Sequence, residues 1–187
     1  MLKRTFDTFL AVLLLVIFVL PMALIAVAVR LNSPGTALYW SRRVGRDNRE
    51  FKMPKFRTMR ADTPVLATHL MEDPQAFITP LGSFLRRTSL DELPQLWSIL
   101  VGHMSFVGPR PALYNQDDLI ALRSRQGLDR LRPGLTGWAQ INGRDEISIA
   151  EKVNFDREYL HRRSFWLDLK IIFITFLKVF GRHGVAH

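Results

Sequence analysis

Hydrophobic positions are spread unevenly along this chain, and the longest unrelieved run lies near its start. From Phe9 to Val29, 21 residues carry no charged or hydrogen-bonding side chain. As a helix that run is roughly 31 Å long, enough to cross the hydrocarbon core of a bilayer. Pro21 lies inside it and removes one helical hydrogen bond, which favours a kink. Asn32-Ser33-Pro34-Gly35 closes the run with turn chemistry. Next, Ala37 to Trp40 and Glu50 to Met53 flank the polar Gly45-Arg46-Asp47-Asn48, a pattern that predicts two short strands or extended arms around a turn. Residues 60–80 read as a surface loop with room for one short helix. From Leu81 the spacing of Phe84, Leu85, Leu93, Leu96, Ile99 and Leu100 predicts helical faces interrupted near Asp91. Gly102, Gly108, Pro109 and Pro111 then stop the helix and force a rigid turn around Arg110. Leu113 to Leu122 reads as another helix. The glycine-rich Arg132 to Arg144 has the look of a phosphate-contacting loop, although it matches neither the P-loop nor the dinucleotide fingerprint. The chain is helical again from Ala150 to about Phe180, with a break near Arg162-Arg163-Ser164. The last part, Phe165 to Phe180, suits a helix lying in a membrane interface, or else a core helix.

The apolar run has three possible fates. Lys3-Arg4 resembles the basic start of a signal peptide, but the run is too long for one and no small-residue cleavage site follows it. Basic residues lie on both sides, at Lys3, Arg4 and Arg30 and then Arg42, Arg43 and Arg46, so both ends favour the cytoplasmic side. That argues for a hairpin dipping into one leaflet. A single crossing is the alternative, since proline is common in spanning helices. Tyr39 and Trp40 stand where an aromatic interface belt would place them.

Composition narrows the classes. At 187 residues and 21.6 kDa there is room for one domain with a modest core. Cysteine is absent, which excludes disulfides, thiolate chemistry and cysteine-type zinc sites. The five histidines show no metal-ligand spacing. A net charge of +9 calls for an anionic partner. Nucleic acid fits poorly, because no recognition motif is present and 48% of residues are hydrophobic. An anionic lipid bilayer accounts for both the charge and the apolar content.

The candidate chemistry lies in Thr88-Ser89-Leu90-Asp91-Glu92-Leu93-Pro94-Gln95-Leu96. Two readings of a helix start compete there: Ser89 as cap with Glu92 closing a capping box, or Asp91 as cap with Pro94 early enough to lose no bond. Both favour an ionised Asp91 through the unpaired N–H groups and the helix dipole. Plain capping would be the bland explanation of the pair. Arg86-Arg87 before it and Gly108-Pro109-Arg110-Pro111 after it point further, to a site holding a divalent cation together with an anionic phosphate. Such a carboxylate can also attack phosphorus as a nucleophile.

Several ordered segments together resemble the bacterial sugar transferase family, the monotopic phosphoglycosyl transferases that start assembly of lipid-linked glycans. They are Lys3-Arg4-Thr5-Phe6-Asp7, Lys55-Phe56-Arg57-Thr58-Met59, Ser89 to Gln95, Met104 to Pro111, and Arg132 to Gln140. The likeness runs from Lys3 to about Lys178 and is closest to the small members with only the catalytic domain. It implies an α+β, mostly helical monotopic membrane protein with an N-terminal re-entrant helix hairpin, interfacial amphipathic helices and a small extended or β element. Residues 1–31 would be the anchor and 32–187 a cytoplasmic catalytic domain at the bacterial inner membrane. By the same resemblance Asp91 matches the nucleophile that attacks the β-phosphate of a UDP-sugar and expels UMP. Glu92 matches its partner towards the polyprenyl phosphate acceptor, and a magnesium ion (Mg2+) sits at the dyad, on Asp91. Lys55, Arg86, Arg110 and Arg144 match basic positions lining the phosphate and nucleotide region. The family breaks its anchor at Ser-Pro; here Pro21 is kept but Leu20 precedes it. The rival readings are a membrane glycosyltransferase that releases UDP and a non-enzymatic basic membrane scaffold. No motif specifies the donor sugar, the glycan pathway or an oligomeric state.

Overall fold

A computed structural model of the chain describes residues 2–60, 62–63, 75–143 and 147–181. The apolar run forms α1 (Leu2–Asn32), with Pro21 inside it. The backbone stays helical through Pro21, so the two-helix hairpin expected there is not formed as separate helices. One missing N–H removes only one bond of the ladder, and contacts on both sides of the proline hold the helix in place. Ala11, with Leu10, Leu14 and Leu15 beside it, enters a core made with Met53, Phe106 and Ile171, while Met22, Ile25, Ala26 and Val29 pack with Phe56 and Leu85. The opposite face, including Val12, Val16, Ile17, Leu20, Leu24 and Val27, is exposed.

Both ends of α1 are bound to the same body. At its start Arg4 donates to the carbonyls of Ile99 (2.6 Å) and Leu100 (2.8 Å), and Asp7 accepts from Ser105 Oγ (2.8 Å) and Phe106 N (3.2 Å). At its end Arg57 donates to the carbonyls of Ser33 and Pro34.

The predicted arms are a true hairpin, β1 (Leu38–Val44) and β2 (Glu50–Phe56), joined by a 3-10 turn at Arg46–Asn48. Asp47 and Asn48 take positive φ there, as short polar residues do most readily. Further on come α2 (Pro80–Arg87), a 3-10 turn (Leu90–Glu92) and α3 (Gln95–Val101). The chain then forms β3 (Ser105–Val107), β4 (Ala112–Leu113), α4 (Asp117–Arg125), β5 (Gly134–Thr136) and α5 (Trp138–Asn142). It ends in α6 (Ile149–Arg162) and α7 (Phe165–Gly181), divided at Arg163-Ser164 as the sequence suggested. One sheet runs β2-β1-β4, and β3 pairs parallel with β5.

Two glycines of the glycine-rich segment, Gly134 and Gly137, are required by backbone packing. They lie close under the Arg110 turn: a Cβ on Gly134 would lie 2.2 Å from Gly108 N, and one on Gly137 would lie 2.1 Å from Gly108 O. Only residues without a side chain fit between β3 and β5 at that approach.

α7 turns Asp168 and Ile171 inward and leaves Trp166, Phe173, Phe176 and Leu177 exposed.

Candidate active site

The hairpin supplies one wall of the site. Alternation along β1 places Tyr39, Ser41 and Arg43 on one face, and the antiparallel register sets Tyr39 opposite Lys55 and Arg43 opposite Phe51. Lys55 thus stands on the same face of the sheet as Arg43.

The second wall is the corner from α2 to α3. Thr79 caps α2 by accepting from Gly82 N at 2.9 Å, with Pro80 in the first turn, where its missing N–H is harmless. Gly82 presses so closely on Thr58 that a Cβ would lie 1.9 Å from its carbonyl oxygen. That seating allows Arg86 Nε to donate to Thr58 Oγ1 at 2.8 Å. Ser89 adopts the left-handed conformation (φ 57°, ψ 16°) and turns the chain into the 3-10 turn that carries Asp91 and Glu92.

Neither expected capping arrangement forms: Ser89 makes no side-chain cap bond, and α3 begins after Pro94 with no side-chain cap. The left-handed Ser89 sets the dyad in a turn of its own, ahead of the helix, where its side chains face other parts of the site. Pro94 does precede the first helical residue, so it costs no helical bond.

The two carboxylates have different surroundings. Glu92 Oε1 accepts from Lys55 Nζ at 2.7 Å and lies 3.3 Å from Arg110 Nη2. Burial alone would raise its pKa, but Lys55 and then Arg110 outweigh burial through charge and hydrogen bonds and hold it well below the ordinary carboxylate range. Asp91 is only 8% exposed, and among the described residues its carboxylate has no hydrogen-bond donor and no ion pair. Burial pushes its pKa up to about 6; Lys55 opposes that, Glu92 adds to it, and Arg86 and Arg110 oppose it. Asp91 is therefore mostly ionised at neutral pH, as expected, but the nearby cations sustain the charge against burial and no cap or helix dipole is needed. Burial lowers the pKa of Arg86, and Asp91 works against that.

Arg110 is presented by a fully tethered turn. The carbonyl of Pro109 accepts from Gly134 N (2.9 Å), that of Arg110 from Arg123 Nη1 (2.8 Å), and that of Pro111 from Arg43 Nη1 (3.2 Å). Arg123 is itself fixed by Asp156, which is 1% exposed, at 2.7 Å. Burial raises the pKa of Asp156 while Arg123 lowers it by charge and hydrogen bond.

Of the residues singled out from sequence, Lys55, Arg86, Arg110, Asp91 and Glu92 come together. Arg144 lies outside the described residues. Arg43, Arg123 and Asp156 were missed. The period of two linking Arg43 to Tyr39, on a hairpin whose other strand carries Lys55, was the available signal for the first. Nothing local announces the other two, which meet across 33 positions.

Magnesium suits this donor set. Among the described residues no cluster of three or more metal-ligating side chains occurs. The ion does not require one, because it keeps several waters and is held by one or two carboxylates plus substrate phosphates. Asp91, buried and with no hydrogen-bond donor among the described residues, could serve as its ligand, whereas Glu92 is already engaged by Lys55 and Arg110.

Residues 1–182 match the family model for bacterial sugar transferases. The UDP-glucose:undecaprenyl-phosphate glucose-1-phosphate transferase of Escherichia coli K12 is 42% identical across 96% of the chain, which spans 40% of that protein's length. The UDP-galactose-lipid carrier transferase of Erwinia amylovora is 38% identical across 98% of the chain, which covers 41% of that relative. The exopolysaccharide production protein ExoY of Sinorhizobium fredii is 39% identical across 92% of the chain, and here the chain covers 83% of the relative. With a family model spanning nearly its whole length and a relative of similar extent, the chain belongs to the bacterial sugar transferase family.

Proposed function

We propose that the chain is a phosphoglycosyl transferase that moves a sugar 1-phosphate from a UDP-sugar to undecaprenyl phosphate through a covalent intermediate on Asp91. An Asp91 carboxylate oxygen bonds to the β-phosphorus as the bond from that phosphorus to the bridging oxygen breaks, and UMP leaves with the electron pair. An oxygen of undecaprenyl phosphate then attacks the same phosphorus. Asp91 departs as the free carboxylate, and the product is the undecaprenyl diphosphate sugar. The observation that carries this reading is the buried Asp91, which has no hydrogen-bond donor among the described residues, beside a Glu92 that gathers Lys55 and Arg110. A nucleophile needs free lone pairs, and phosphates need fixed cations. The names of the relatives support the donor and acceptor classes.

Lys55 and Arg110 hold Glu92 ionised, and Arg86 faces Asp91 across the dyad. Their preorganised charges stabilise the phosphates without rearranging during reaction. Magnesium, held by Asp91, would neutralise diphosphate charge. Glu92 orients the acceptor phosphate.

Seating at the membrane follows from exposed apolar faces. The outer side of α1 and the side chains of Trp166, Phe173 and Leu177 on α7 are exposed in the described structure and enter one leaflet. Because both ends of α1 are bound to one body, both stay on the same side of the bilayer. The basic residues Lys3, Arg4 and Arg30 support the cytoplasm as that side, with the protein at the inner membrane.

The reaction is tested by incubating purified protein with magnesium, undecaprenyl phosphate and a panel of UDP-sugars. UMP is the expected nucleotide product. UDP in its place would mean transfer of the sugar alone and would overturn the proposal.

A further inference from the structure

The site holds more positive charge than its two carboxylates balance. Lys55 and Arg110 share Glu92, and Arg86 interacts with Asp91. Arg43 is a further cation, and among the described residues it forms no ion pair. Its guanidinium is fixed by two bonds, Nε to Ser41 Oγ at 2.9 Å and Nη1 to the Pro111 carbonyl at 3.2 Å. Both partners are neutral, and the Nη2 end is uncommitted within the described structure. Pro111 adjoins Arg110, so two guanidiniums converge on one turn beside Glu92. Burial, and then repulsion from Arg110, lower the Arg43 pKa to about 10, which leaves it cationic at neutral pH.

A carbonyl such as that of Pro111 can be satisfied by a neutral donor. A second arginine beside Arg110 adds desolvation and repulsion, which among the described residues the charge of Glu92, and after it Tyr39, offsets only in part, leaving the Arg43 pKa lowered. An anion with several oxygens does offset them, because a guanidinium fork matches phosphate geometry and gains strength where water is excluded. The strand period directs Arg43 to the face that carries Lys55, and so to the proposed phosphate region.

We infer that Arg43 is a donor-binding residue whose free edge contacts the diphosphate of the UDP-sugar alongside Arg110. The inference rests on the function proposed above and adds to it a cation that none of the conspicuous motifs contains.

The test measures equilibrium binding of UDP, with magnesium, to the whole chain in lipid nanodiscs, together with thermal unfolding of each variant. Arg43→Gln should raise the UDP Kd about tenfold or more, the loss of one charge-assisted hydrogen bond. Arg43→Lys should raise it less, keeping the charge but losing the fork. Wild-type UDP affinity in a folded Arg43→Gln overturns the inference and leaves Arg43 as a support for the Pro111 carbonyl. If Arg43→Gln does not fold, Arg43→Lys decides, and an unchanged Kd in that variant overturns the inference. The binding readout is separate from turnover. A wild type that binds UDP through Arg43 yet releases no UMP from any UDP-sugar would refute the proposed reaction and leave the binding role standing, whereas a wild type that does not bind UDP would overturn both.

Discussion

Lys3 Nζ lies 2.6 Å from Asp168 Oδ2, joining the first turn of α1 to the first turn of α7 across 165 positions. The other oxygen of Asp168 accepts from Tyr159 OH at 2.7 Å, so one buried carboxylate ties α1, α6 and α7 together. Arg57 holds the far end of α1 through the Ser33 and Pro34 carbonyls. Under the proposed seating, a helix tied to one body at both ends keeps those ends on one side of the bilayer. Cysteines introduced at the exposed positions Leu2 and Thr36 should therefore be equally shielded from a membrane-impermeant thiol reagent in intact cells and equally labelled in inside-out vesicles. Labelling of Leu2→Cys alone from the periplasmic side would establish a single crossing.

Arg123 and Asp156 separate stability from function. Arg123→Met leaves Asp156 buried without its partner, which should cost about 3–5 kcal/mol and appear as a marked fall in Tm. The double variant Arg123→Met with Asp156→Leu removes both charges and should recover most of that loss. Activity should not return with it, because the Arg110 carbonyl still lacks the donor that Arg123 supplied at 2.8 Å. Full recovery of both Tm and donor KM in the double variant would show that the pair does not position Arg110.

Elements with a strong local signal were legible in the sequence. The hairpin announced itself by two short arms flanking the polar turn Gly45-Arg46-Asp47-Asn48, the α6–α7 break by Arg163-Ser164, and the corner by Asp91. The capping readings failed because left-handed backbone at Ser89 is uncommon for a residue with a side chain, and nothing in Ser89-Leu90-Asp91 signals it. The packing role of Gly134 and Gly137 was not legible for a related reason: glycine permits close approach equally to a phosphate and to another strand, and only the long-range pairing of β3 with β5 shows that these two lie against backbone.

That pairing makes a sharp prediction for Gly134. An alanine Cβ there would sit 2.2 Å from Gly108 N and 2.3 Å from Thr136 O, both backbone atoms that cannot swing aside. Gly134→Ala should therefore push β3 and β5 apart and displace the Pro109-Arg110-Pro111 turn, lowering Tm and raising the donor KM together. A variant with wild-type KM would mean that the turn is held independently of β5.

Asp91 and Glu92 are neighbours with opposite electrostatics, and they should respond differently to the same change from acid to amide. The Asp91 pKa is raised from 3.8 to about 6. Between those values the folded protein binds a proton that the unfolded chain has released, so stability falls as pH rises through that window, and the penalty is fully present above pH 6. Asparagine carries no charge and removes the penalty. In magnesium-free buffer Asp91→Asn should melt above wild type at pH 7.5, with the gain shrinking towards pH 4. Glu92, whose pKa is lowered, contributes in the opposite sense: its ion pairs stabilise the fold above the ordinary carboxylate range, so Glu92→Gln should melt below wild type at neutral pH. Chemistry should divide the same way. An amide cannot act as the nucleophile, so Asp91→Asn should yield no phosphosugar adduct and no UMP. Glu92→Gln should still form adduct but pass it poorly to undecaprenyl phosphate. Intact-protein mass spectrometry after incubation with a UDP-sugar and magnesium, without the lipid acceptor and with rapid quenching, reads this directly. An adduct that persists in Asp91→Asn and is lost in Glu92→Gln would exchange the two roles, and an active wild type that never shows one would refute covalent transfer through Asp91.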